Sequence, residues 1–122
     1  MVRSIVEIGF GLVYLIGALF NCLYTWRHGA EFYGGFAARA VWPPARGFVA
    51  SVVIPRAAIF TGILVGFQAL VGLSILSRGA LVTPALVAGA LFCIGAALVS
   101  SLEGAIANMV MACVQVYLAL AR

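Results

Sequence analysis

The side chains best suited to chemistry are few. Glu7 stands one turn inside an apolar stretch, where an ionisable group is costly and is by default a candidate for binding a proton or a cation. Its position also suits a structural role: Arg3 lies four residues earlier on the same helix face, and an acid near a helix N-terminus complements the dipole. The second group is polar and aromatic. His28, Arg39, Trp42 and Arg46 fall within twenty residues of one another and could hold an anionic or quinone-like headgroup between guanidinium and ring. The plainer reading of His28 is a solvated interfacial side chain. Glu103 stands three residues after Ser100, the spacing of a capping box.

Several familiar chemistries find no residues here. There is no serine–histidine–acid set, paired carboxylate site or phosphate loop, and no His/Cys cluster with metal-ligand spacing. Cys22, Cys93 and Cys113 each fall in an apolar span without a CxxC spacing, as small buried hydrophobes do. These absences argue against an enzyme acting alone; within an enzyme the chain would be a membrane oxidoreductase subunit. The residues specify no cofactor and no metal.

The elements that must position these groups follow from composition. The chain has 122 residues, 66% hydrophobic and only 8% charged, with a mean hydropathy of +1.22. A soluble domain usually carries about 25% charged residues, so the outer surface here faces lipid. The net charge of +4 comes from scattered arginines, without lysine and without aspartate. Nucleic acid would need a clustered basic stripe; anionic lipid headgroups need none. Arginine-only basicity with abundant Ala and Gly suggests a GC-rich bacterial source and hence a plasma-membrane location.

Four apolar spans can be drawn, at about 5–24, 57–76, 83–99 and 102–121. Each approaches the ~20 residues that cross a ~30 Å hydrocarbon core. Arg3 before the first span superficially fits a signal peptide, but no A-x-A-like site follows and Phe20-Asn21 is too bulky for a lipoprotein box. Gly62 and Gly66 form a GxxxG suited to helix packing, and Asn108 lies on a small-residue face expected to turn inward. Asn21, Gln68 and Gln115 are candidates for interhelical hydrogen bonds. Thr83 is the expected N-cap of span 3, with Pro84 at its first position. Ser100 and Glu103 open span 4.

Between spans 1 and 2 lies Arg27–Arg56, with four of the seven arginines, the only histidine and three of the four prolines. It is too long for a simple turn. A short surface helix is expected near Ala30–Val41, a break at Pro43-Pro44, and a second interfacial or re-entrant piece over Ala45–Val53 closed by Pro55. The reading is an all-α integral membrane four-helix bundle, one domain, with a long interfacial loop between helices 1 and 2. Arginines are shared almost evenly between its two ends, so the positive-inside rule does not orient it.

Ile8-Gly9-Phe10-Gly11-Leu12 with Gly17, the Gly62–Gly72 span and Ala107-Asn108 at the start of span 4 resemble the DoxX-like family of small bacterial membrane proteins. That resemblance implies four helices, an N-terminus on the cytoplasmic side, and association with thiosulfate:quinone oxidation or other membrane redox complexes. Three functions are therefore in view. One is an accessory or assembly subunit packing on other membrane proteins or on itself. Another is a small proton-coupled transporter using Glu7. The last is a subunit that binds a quinone or lipid beneath the loop.

Overall fold

The computed structural model describes residues 2–122 and is 87% helical, with no strand among the described residues. Six α-helices follow in order: α1 (Val2–Phe20), α2 (Gly29–Arg39), α3 (Pro43–Phe48), α4 (Ala57–Leu76), α5 (Val82–Leu98) and α6 (Leu102–Leu120). Three continuous helical runs are long and apolar enough to cross a membrane: Val2–Thr25, Pro43–Leu76 and Leu102–Leu120. The apolar helix α5 is shorter, at 17 residues or ~25 Å of rise.

Arg27–Arg56 carries the two expected helical pieces, and they fill more of it than the term loop implies. Only residues 26–28 and 40–42 interrupt a helical hairpin. Phe32, Tyr33 and Phe36 give α2 a face that packs against Val49 and Val53, and the Tyr33 hydroxyl lies 2.9 Å from Thr61 Oγ1 on α4. The helix breaks at residues 40–42, just before Pro43-Pro44 as expected, and the two prolines then start α3, because the first helical turn has no use for their missing N–H groups. Pro55, however, does not end the second piece. A wide π turn at Val49–Val53 and a 3-10 turn at Ile54–Arg56 absorb its ring and join α3 to α4 in a run of 34 residues.

The end of α1 widens in the same way. Trp26 N donates to Asn21 O across a π turn (2.9 Å). Within that turn Asn21 Nδ2 donates to Gly17 O (2.9 Å) and the Thr25 hydroxyl to Asn21 Oδ1 (2.7 Å), so side chains compete with the regular ladder.

Helix starts differ from expectation by small, explicable steps. The N-cap of α6 is Ser101, whose hydroxyl accepts from Gly104 N at 3.3 Å, while Ser100 Oγ donates back to Ala96 O. No Ser100–Glu103 capping box forms. Helix α5 begins at Val82, so Thr83 is already helical and Pro84 takes the third position, still within the turn of unbonded N–H groups.

The helices pack mainly as two pairs, α1 on α4 and α5 on α6, with α4 meeting α5 less extensively. Lipid tails are as apolar as leucine, so close approach and interhelical hydrogen bonds must hold such pairs together. Gly11 and Gly72 supply the approach: a Cβ on Gly72 would fall 2.9 Å from the Gly11 carbonyl oxygen. The GxxxG glycines do not. Gly62 and Gly66 are exposed, and a Cβ on Gly66 would meet nothing within 4 Å. Tyr14, Val71, Ile75, Val82, Leu86 and Leu118 form a buried core joining both pairs. A second cluster, Tyr33, Val49 and Val53, lies under the α2–α3 hairpin.

Candidate functional site

Glu7 is fully buried, but Arg3 is not its partner. Arg3 Nη1 donates to Ala121 O instead, at 2.6 Å. Glu7 Oε1 receives Arg78 Nη1 at 2.9 Å and Arg122 Nη1 at 2.8 Å. The position of Arg78 explains the exchange. It stands in the α4–α5 turn with φ 60°, a left-handed conformation that brings its side chain back over α1, where Nη2 also reaches Ser4 Oγ (3.3 Å). One carboxylate oxygen thus joins three segments: the first turns of α1, the α4–α5 turn and the end of α6. Glu7 Oε2 has no hydrogen-bond partner among the described residues.

Halfway along the bundle the Tyr14 hydroxyl donates to Gln115 Oε1 (2.8 Å), and Gln115 Nε2 donates to Met111 O and towards Cys93 Sγ (3.2 and 3.4 Å). Gly89 makes room for this contact, since a Cβ there would fall 2.5 Å from the Tyr14 oxygen. On the other pair, Asn21 Nδ2 donates to Gln68 Oε1 at 2.7 Å. Gly17 permits it, because a Cβ at that position would lie 2.9 Å from Gln68 Nε2. Asn108 makes no interhelical bond among the described residues. Its Nδ2 donates to Gly104 O of its own helix at 2.8 Å, and its side chain lines a cavity.

The four polar-aromatic candidates of the hairpin do not converge. His28 precedes α2, stacked on Tyr24 with ring centroids 4.7 Å apart and Nδ1 3.2 Å from Tyr24 O. Arg46 Nε donates to Ala40 O at 2.7 Å and so ties α3 to the C-terminus of α2. Trp42 is the exposed residue before α3. Among the described residues no hydrogen bond or ring contact links these side chains to one another. Arg39 borders a small cleft.

A larger cavity, which Arg39 does not line, is the feature that stands out. Near the hairpin, the two helix pairs and the hairpin itself bound a half-open chamber of about 500 Å³, within the ~300–1,000 Å³ typical of small-molecule sites. Phe32, Phe36, Phe48, Phe60 and Phe92 line it, together with the amides of Asn21, Gln68 and Asn108. A predominantly apolar wall, rich in aromatic rings and carrying a few amides, is what an apolar molecule bearing a polar group requires. Gly95 enlarges the chamber, since a Cβ there would meet nothing within 4 Å.

Phe60, Phe92 and Gly95 escaped attention in the sequence because apolar residues in apolar spans carry no local mark. The available signal was that three amides, Asn21, Gln68 and Asn108, fall in three different spans. No group of three or more His, Cys, Asp or Glu side chains that could hold a metal occurs among the described residues.

Fold and site together define a class: an all-helical protein with three helices fit to cross a membrane and an aromatic chamber at one end. No family model, curated protein or solved structure matches the chain.

Proposed function

We propose that the chain is a DoxX-like plasma-membrane protein. In this reading α1, α4, α5 and α6 cross the membrane as a four-helix bundle, with both termini on the cytoplasmic side. It acts as an accessory subunit of a membrane redox or envelope complex and binds a quinone- or lipid-like molecule between its helix pairs. The observation that carries the binding role is the aromatic chamber of about 500 Å³ beneath the α2–α3 hairpin. The outward-facing Gly62 and Gly66 add a small-residue strip on which a partner helix or a second copy could close. The transporter reading draws no such support. A coupling acid must exchange its proton, and Glu7 Oε1 is already held by two arginines.

Photolabelling of the chain in bilayer nanodiscs tests the binding role. A photoactivatable quinone or acyl compound should label Phe60, Phe92 and the surroundings of Gly95, and the labelling should be competed by unlabelled compound. Labelling spread evenly over lipid-facing residues such as Ile63 and Leu91, without competition, would refute it. The identity of proteins recovered with the chain in mild detergent tests the accessory role, and recovery of the chain alone would count against it.

A further inference from the structure

Beside the chamber lies a second, smaller space that contains an arginine. A cleft of about 200 Å³ is bounded by Gly35, Arg39, Ser101 and Gly104. It shares Phe32, Phe36 and Ser100 with the chamber, so these three residues are walls of both. Arg39 is exposed and makes no ion pair or hydrogen bond among the described residues. Arg78 and Arg122 hold Glu7, Arg3 holds Ala121 O, Arg46 holds Ala40 O and Arg56 reaches Val52 O, while Arg27, likewise without a side-chain partner among the described residues, does not line the cleft. The hairpin end carries Arg27, Arg39, Arg46 and Arg56 against Glu31 and Glu103, and neither acid forms an ion pair among the described residues. Glu103 is exposed and does not line the cleft.

An unpaired guanidinium and two serines, separated from the chamber only by shared phenylalanine walls, match a molecule with two ends. A neutral quinone would use the chamber and leave Arg39 unmatched. Free phosphate would use Arg39 and leave the chamber empty. Building on the binding role proposed above, we propose that chamber and cleft are one site for a single anionic phospholipid. Its phosphate lies on Arg39 and an acyl chain lies between the helix pairs. The guanidinium fork suits phosphate oxygens in two-point contact, and the phenylalanine walls suit methylene chains.

The test is native mass spectrometry of the intact chain taken into mild detergent from vesicles of equal phosphatidylglycerol and phosphatidylcholine. One lipid should remain bound per chain, enriched in phosphatidylglycerol. Arg39→Gln, at an exposed site that the fold does not use, should lower that enrichment about five-fold, and Arg39→Lys should restore part of it. Gly95→Phe places a ring in the chamber and should abolish retention of either lipid. Gly66→Phe, equally free of neighbours but outside the site, should leave retention as in the parent. Retention in the bulk ratio, unchanged by Arg39→Gln, would overturn the phospholipid assignment. Quinone photolabelling of the chamber could still stand in that case, so the two readings fail separately. Full retention in Gly95→Phe would overturn the assignment as well.

Discussion

Replacing Glu7 with glutamine keeps the shape and one acceptor oxygen but removes the charge that Arg78 and Arg122 share. Each contact at 2.8–2.9 Å changes from a charge-assisted bond to a neutral-acceptor one. Charged hydrogen bonds contribute about 1.5–3 kcal/mol and neutral ones about 0.5–1.5, so two such changes should cost about 2–3 kcal/mol. The arginine side chains are 34% and 24% exposed, so water can solvate both once the carboxylate is gone. This keeps the loss below the roughly 3–5 kcal/mol seen when a wholly buried pair loses a partner.

A cycle isolates the effect. Glu7→Gln is compared in the parent and in an Arg78→Gln/Arg122→Gln background, by reversible denaturant unfolding in one detergent. The substitution should destabilise the parent by about 2–3 kcal/mol and be neutral or stabilising in the double background, where the buried carboxylate has lost its partners. Equal losses in both backgrounds would refute the three-segment clamp. A proton-dependent substrate flux that vanishes in Glu7→Gln vesicles while stability is unchanged would return Glu7 to the role of coupling acid.

Other expectations follow from close contacts. Gly72→Ala sets a methyl against the Gly11 backbone oxygen, which cannot swing away, and should cost about 1–3 kcal/mol in the same unfolding assay; Gly66→Ala should be neutral or slightly stabilising. Gly89→Ala should separate Tyr14 from Gln115 and cost at least as much, and the loss should shrink when Tyr14→Phe is already present. Ser101→Ala removes the α6 cap and should cost about 0.5–2 kcal/mol, with Ser100→Ala costing less.

The apolar helices were legible because length and hydropathy leave lipid-facing helices few alternatives. Glu7 was legible as a buried acid, and its partner was not. Arg3 is the local solution by spacing, but Arg78 and Arg122 arrive only through the turn at Arg78 and the docking of α6, contacts of sequence separation 71 and 115 that no periodicity encodes. The GxxxG misled for a related reason. Gly62 and Gly66 share a helix face, but a motif does not say whether that face meets a neighbour, and the close approach fell instead to Gly11 and Gly72. At Pro55 the sequence rule was right about the lost hydrogen bond. The π and 3-10 turns on its N-terminal side supply the compensation that the rule leaves out. The amides at Asn21 and Gln68 were foreseen as partners. Their place on a chamber wall depends on how the two helix pairs splay.

That splay has a consequence for the order of assembly. Helices α5 and α6 are joined by residues 99–101 alone, so their pairing closes a very short loop, whereas α1 reaches α4 only after the whole α2–α3 hairpin has been placed between them. Loop-closure entropy and local contact both favour the later pair forming first. The chamber belongs to neither pair. It comes into being when the two dock and Val41 N donates to Ser100 O (3.1 Å) to latch the hairpin over the α5–α6 connection. The shape of the chamber therefore depends on that contact between the pairs and not on either pair alone.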